Sequence, residues 1–221
     1  MSISHAVDKL ISLSPFLEEA LTDNLINVSS LARKLKPEVE NILKKEVKEG
    51  AVIMAITRRE PGYYFKISKG IKDFMSKLGD IIVRSDLSDH SFENSPTLIT
   101  CQRQLMEEIG DEKNVLCTFS QGINETTIVV SNSLDQIIDS IFVNEKRLSR
   151  KTGLGSVTIK LPEGNTEVSG IYYYILKNLA WGGINICEII STTNEISIVV
   201  SEEDVHKAFP ILLKLKKPGI Q

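Results

Sequence analysis

The sequence predicts an α+β protein in which a helical segment precedes two copies of one β-α-β-β-α unit. Three observations lead to that class. First, Thr127-Ile128-Val129-Val130-Ser131 followed by Leu134, Ile137, Ile138 and Ile141 has the shape of Ile196-Ser197-Ile198-Val199-Val200-Ser201 followed by Val205, Ala208, Phe209 and Leu212. In both, an apolar strand runs into a helix whose apolar residues share one face. Second, the elements upstream of both anchors come in the same order, repeated after about 70 residues. Third, residues 1–60 carry their apolar residues mostly at helical spacing.

Taken in chain order, Ala6, Val7, Leu10 and Ile11 mark a first amphipathic helix, and Ser14-Pro15 starts a second through Leu17 and Leu21. Asn27-Val28-Ser29-Ser30 opens a short helix over Leu31 to Leu35. Pro37 opens the next, with Val39, Ile42, Leu43 and Val47 as its stripe. Ala51 to Thr57 reads as a strand ending at Arg58 and Arg59. Helices followed by a strand make residues 1–60 a winged-helix-like domain. Residues 61–78 connect, with a helix over Ser68 to Leu78.

The first copy, residues 79–148, has strands at Asp80 to Ser85, Val115 to Ser120 and Glu125 to Ser131, and helices after Ser95-Pro96 and Ser133. The second copy, residues 154–221, has strands at Ser156 to Leu161, Ile184 to Ile190 and Glu195 to Val200, a Gly/Asn-rich loop from Pro162 to Ser169, and helices from Gly170 and Ser201. Pro210 inside the last helix is expected to kink it. This is the order of a ferredoxin-like split β-α-β, so the fold class is α+β with two tandem ferredoxin-like modules behind a helical, winged-helix-like domain. Such a module needs a fourth strand, and neither copy shows one. Either the last strands are very short, or each copy is a three-stranded sheet whose exposed edge a second copy of the chain completes, and a homodimer is the expectation.

Composition restricts the chemistry. The chain has 221 residues, 26 basic and 29 acidic, for a net charge of −3, and residues 1–60 balance at nine of each. No segment carries the basic excess of a nucleic-acid binder. No apolar run is long enough to cross a membrane, and Met1-Ser2-Ile3-Ser4-His5 is no export leader, so a cytoplasmic location is expected. Cys101, Cys117 and Cys187 read as small buried hydrophobes in a reducing compartment, without disulfides. The three histidines and three cysteines have no metal-ligand spacing, and no nucleotide-binding or hydrolase motif occurs. No catalytic residue, metal or cofactor is expected. Tyr63-Tyr64-Phe65 and Tyr172-Tyr173-Tyr174 point in several directions along a helix and read as packing residues rather than a stacking platform.

One stretch carries a family resemblance. Val157-Thr158-Ile159, Gly170-Ile171, Leu179-Ala180-Trp181-Gly182-Gly183-Ile184-Asn185-Ile186, Ile190-Ser191-Thr192 and Ile196-Ser197-Ile198-Val199-Val200 resemble, in that order, the regulatory ACT domain of aspartokinases. The first copy resembles it in element order. The kinase domain, with its Lys-Phe-Gly-Gly motif, has no counterpart. The resemblance implies a tandem ACT-domain, non-catalytic regulatory protein that binds a small amino acid allosterically at the module interfaces. Its ligand-binding residues would be Glu163, Gly164, Asn165, Val168, Ser169, Gly170, Ile171, Asn185 and Ile186. A loop entering a helix offers N–H groups to a carboxylate, and Asn185 can accept from an ammonium while donating to a carboxylate. The same residues have plain structural uses: Gly170 eases packing and Asn185 satisfies a loop. The alternative function is an amino-acid-responsive transcription regulator that binds DNA through the winged helix. Its recognition helix, Pro37 to Lys48, has balanced charge and is a poor reader of base edges.

Overall fold

The computed structural model describes residues 1–59 and 62–216, with the side chains of 63–67 and 69 outside the described set, so the packing expected of Tyr63, Tyr64 and Phe65 lies outside it. The chain divides into two compact units, one of residues 1–73 with 168–170 and one of 74–167 with 171–221.

The first unit is helical. Helix α1 (Ile3–Ser12) starts at Ser2, whose hydroxyl accepts from His5 N, and α2 (Pro15–Thr22) has proline in its first turn. Helix α3 (Val28–Leu43), opened by the Asn27 carbonyl accepting from Ser30 N, is followed by α4 (Glu49–Thr57) and α5 (Tyr63–Met75). Two expectations are corrected here. Residues 31–48 are not two helices: α3 runs through Pro37, which is exposed, so the carbonyl left without a partner faces water. The helix ends at Leu43, with Lys44 in the left-handed region, rather than running to Lys48.

The strand read over Ala51 to Thr57 is helix α4. A lone strand would leave its ladder N–H and C=O groups unpaired, whereas a helix satisfies them internally. Val52, Ala55 and Ile56 then face Ala6, Val7 and Ile11 of α1 and Leu31, Ala32, Leu35 and Val39 of α3 in one core. Among the described residues this unit has no strand and therefore no wing. Arg59 closes it: its Nε donates to Asp8 Oδ1 at 3.1 Å and its Nη2 lies 3.7 Å from Glu18 Oε2.

The second unit is a curled antiparallel sheet with helices. Its elements are β1 (Ile81–Glu93), α6 (Leu98–Ile109), β2 (Cys117–Gln121), β3 (Glu125–Ser131), a 3₁₀ turn at 132–134 leading into α7 (Asp135–Ile141), β4 (Arg147–Lys160), α8 (Ile171–Trp181), β5 (Ile186–Ser191), β6 (Glu195–Ser201) and α9 (Glu202–Leu215). Pro210 lies inside α9 without ending it. The strand order is β2-β3-β1-β4-β6-β5.

Strands β1 and β4 are the longest, because each serves both copies. The C-terminal half of β1 pairs with β3 from Leu87–Ser131 to Glu93–Glu125, and the C-terminal half of β4 pairs with β6 from Leu154–Ser201 to Lys160–Glu195. The two copies thus share one register, in which Leu87, Ser88, Asp89, His90 and Phe92 correspond to Leu154, Gly155, Ser156, Val157 and Ile159. The fourth strand of each copy is the N-terminal half of the other copy's first strand. His90 pairs with Arg150 on one side, and Val83 with Val157 on the other. This corrects the expectation of open edges that a second chain completes: β1 and β4 fill those positions within one chain. The basic segment after Ile141, read as a linker, is the start of β4.

Each long strand bends between its halves through a left-handed residue, Asp86 (φ 55°) in β1 and Gly153 (φ 66°) in β4. On the helix-covered side, Phe92, Leu98, Leu105, Ile128, Val130, Leu134, Ile138 and Phe142 form the first copy's core.

Candidate functional site

The loop expected to hold a ligand is tied down by the Asn165 side chain and by a backbone bond to the β5–β6 turn. Asn165 is buried, and its Nδ2 donates to the carbonyls of Thr193 and Pro162, while Leu161 N donates to Asn194 O at 2.7 Å. Those bonds tie the loop to the β5–β6 turn and commit the Asn165 donors. Glu163 is exposed, Gly164 (φ 77°) and Gly170 (φ 86°) make left-handed turns, and Ile171 is a core residue. Val168, half-buried, and Ser169, exposed, cluster with Gly170 in the helical unit. Asn185 is exposed just before β5, and Ile186 pairs with Val200. Among the described residues no hydrogen bond joins Asn185 to residues 163–171.

A polar cavity of about 360 Å³ opens at the bend of β1, between Val83, Arg84, Ser85 and Asp86 on one side and Asn114 with Ser131, Asn132 and Ser133 on the other. Arg84 Nη1 donates to Asn114 O at 3.2 Å, and Ser85 Oγ donates to Asp86 Oδ2 at 3.0 Å. The Ser131 hydroxyl accepts from Leu116 N at 2.9 Å and gives no cap to the turn that follows it. Asn132 Oδ1 is buried without a hydrogen-bond partner. Sequence reasoning missed this group because its members come from a strand interior, a loop and a strand end, with no common motif. The one local signal is the run Arg84-Ser85-Asp86, which breaks the alternation of the strand.

Beside the bend lies a buried polar network with no counterpart in the second copy. Ser88 Oγ donates to Asp135 Oδ1, His90 Nε2 lies 2.9 Å from the same oxygen, and Arg150 Nη2 donates to Asp135 Oδ2 at 2.8 Å. Asp139 joins Arg150 to Arg147. Serine, histidine and aspartate together invite comparison with a hydrolase triad, but the geometry differs. The hydroxyl donates to the carboxylate rather than to the imidazole, and Ser88 and His90 are both fully buried, so no substrate reaches the oxygen. In the second copy Gly155 and Val205 take the places of Ser88 and Asp135, and a Cβ on Gly155 would come within 2.6 Å of Val205 Cγ2.

This network sets a pH dependence. Burial holds His90 below the ordinary histidine range, although the Asp135 hydrogen bond pulls the other way; Arg147 and Arg150 add to the lowering. A group whose folded pKa is depressed contributes stability that is present above its unfolded value, about 6.5, and is lost as pH falls. Burial would raise Asp135, but hydrogen bonds from Ser88, Arg150 and His90 outweigh it and hold the carboxyl low, so its contribution is lost only at more acid pH. The unfolding free energy from urea titrations is therefore expected to fall from pH 7.5 to 5.5 through His90, with a slope of at most about 1.4 kcal/mol per pH unit, while the raised carboxyl of buried Asp89 acts in the opposite sense at lower pH. His90→Gln should remove the His90 part of that slope. A profile that His90→Gln leaves unchanged would show that His90 takes up no proton on unfolding.

Elsewhere, a second cavity of about 380 Å³ lies in the helical unit against Asp8, Arg58 and Arg59. The three cysteines are free, and burial pushes the Cys117 thiol up to about 11. No helix among the described residues is long and apolar enough to cross a membrane.

No protein-family model matches the sequence, and no curated protein matches it. The fold does have solved relatives. The ligand-free regulatory subunit of aspartate kinase from Thermus thermophilus aligns at a TM-score of 0.51 and 13% identity, over 62% of this chain and 97% of that one. Aspartate kinase from Clostridium acetobutylicum aligns at a TM-score of 0.53 and 17% identity, over 64% of this chain and 35% of that one, so this chain spans about a third of that enzyme's length. At such identities the likeness is one of fold.

Proposed function

We propose that the chain is a non-catalytic regulatory protein whose two fused β-α-β-β-α copies respond to a small amino acid. The observation that carries this reading is the shared sheet: each copy borrows its fourth strand from the other, in a fold like that of an aspartate kinase regulatory subunit. A ligand that tightens one copy must act on a strand the other copy also uses, which is the physical requirement for passing a binding signal across the unit. The DNA-binding alternative loses support, because helix α4 stands where the wing strand was expected.

A thermal-shift series of the full chain with the standard amino acids tests the reading. Binding to the folded state alone adds RT ln(1 + [L]/Kd), about 2.7 kcal/mol at a hundredfold excess over Kd, and raises Tm by roughly 5–10 °C for a chain of this size. No shift with any of them at millimolar concentration would remove amino-acid sensing.

A further inference from the structure

We infer that the bend of β1 is the amino-acid site, binding the ligand as a zwitterion between Arg84 and Asp86. The inference rests on the amino-acid reading above and adds the site, the ligand's charge state and the class of its side chain. The groove there is open to solvent and has a volume of about 360 Å³, the lower end of the volumes of small-molecule sites, which are more enclosed.

Charge is the first argument. Arg84 and Asp86 both line this cavity, yet neither makes an ion pair among the described residues. Arg84 spends one N–H on Asn114 O, which anchors the guanidinium and leaves its other donors free. Asp86 accepts from Ser85 Oγ through Oδ2 alone. A carboxylate and an ammonium on one small molecule supply both missing partners.

Backbone conformation is the second. Asp86 holds φ at 55°, a region that side-chain-bearing residues enter at a cost. The corresponding bend in β4 uses Gly153, which enters it freely and has open space around it. Of the two bends, the one in β1 thus carries a carboxylate on the bend residue itself.

The comparison between copies is the third. At the β4 bend the residues corresponding to Arg84-Ser85-Asp86 are Lys151-Thr152-Gly153, and those corresponding to Ser131-Asn132-Ser133 are Ser201-Glu202-Glu203. The second bend thus has glycine in place of Asp86 and two further acidic residues, Glu202 and Glu203, in place of Asn132 and Ser133, which would repel a ligand carboxylate held by Lys151. The β1 bend has no such surplus of negative charge. Its walls are hydroxyl and amide groups with Val83 as the sole aliphatic residue, and the Asn132 amide is uncommitted at its oxygen. They fit a short polar side chain better than a large apolar one.

The position also explains a response. Val83 and Arg84 belong to the rungs that complete the second copy, while Ser131 ends the third strand of the first and Asn132 and Ser133 open the turn after it. A ligand bridging them fixes the angle of the bend between copies.

The test is calorimetric titration and thermal shift of the full chain with the standard amino acids, for the unsubstituted protein and for Asp86→Gly, Arg84→Gln and Asn185→Ala. Serine and asparagine are expected to bind at least about tenfold tighter than leucine and phenylalanine. Asp86→Gly should melt about 2 °C higher without ligand, as strain is released, and should lose the ligand-induced shift. Arg84→Gln should weaken binding at least about tenfold, and Asn185→Ala should leave it unchanged. On the unsubstituted chain the methyl ester and the α-hydroxy acid corresponding to the tightest ligand should each bind at least about tenfold more weakly, a readout that does not depend on any variant folding. Binding that survives Asp86→Gly and Arg84→Gln, or an α-hydroxy acid that binds as tightly as the amino acid, overturns the site and leaves the regulatory reading standing. No response to any amino acid overturns both.

Discussion

Phe92→Ala is expected to lower the unfolding free energy by roughly 3–5 kcal/mol, as deletion of a fully buried aromatic ring usually does. Phe92 is completely buried, stacks on Phe142 with ring centroids 4.8 Å apart, and has the Arg147 guanidinium 5.2 Å from its ring centroid. It also sits on the rung where β1 pairs with Thr126 of β3 and with Arg147 of β4. The residues around the resulting hole are held by strands on both sides, so collapse into it is limited and the cavity cost is retained. Urea unfolding of the full chain gives the measurement. A loss below about 1.5 kcal/mol would mean that the first copy's core repacks freely.

Asp135→Ala is expected to cost about 3 kcal/mol, for a different reason. The loss leaves Ser88 and His90 buried without their acceptor and removes one of the two carboxylates facing Arg150. The second copy shows what the apolar solution looks like. Replacing the group together, with Ser88→Gly, His90→Val and Asp135→Val, writes the pattern of Gly155, Val157 and Val205 into the first copy and should recover most of the loss. A triple variant no more stable than Asp135→Ala would show that the network's cost cannot be replaced by packing. The triple variant should also lose the His90 part of the slope in stability between pH 7.5 and 5.5.

The repeat was legible because strands and helices write their periods locally. Thr127 to Ser131 and Ile196 to Ser201 are apolar runs whichever way the chain folds, and the stripes behind them bury one face of α7 and α9. The full lengths of β1 and β4 were not legible. Asp80 to Ser85 reads as a strand, but Leu87 to Glu93, the half of β1 that pairs with β3, places Ser88, Asp89 and His90 in its buried stretch, and Arg147 to Gly153 is largely solvent-exposed, with charges and a glycine where a strand is ordinarily recognised by alternating apolar residues. Helix α4 was misread for the reverse reason. Its run of Ala51 to Ile56 is apolar throughout, and short apolar runs do not distinguish a buried helix from a buried strand.

The candidate site divides in the same way. Glu163 to Ile171 and Asn185 stood out because glycine, asparagine and a helix start occur together in the sequence. Arg84, Asp86, Asn114, Asn132 and Ser133 are ordinary surface residues until the bend in β1 gathers them around one cavity.

The sequence by itself determined the order of elements within the two copies, their match and the balance of charge, since each depends on neighbours a few residues apart. Tertiary structure alone decided that β1 and β4 exchange their first halves, that Ala51 to Thr57 is helical, and that an arginine and an aspartate two residues apart remain unpaired beside a cavity. Those features depend on pairing and burial between residues far apart in the chain. A strand's partner, unlike its periodicity, is not written in the strand.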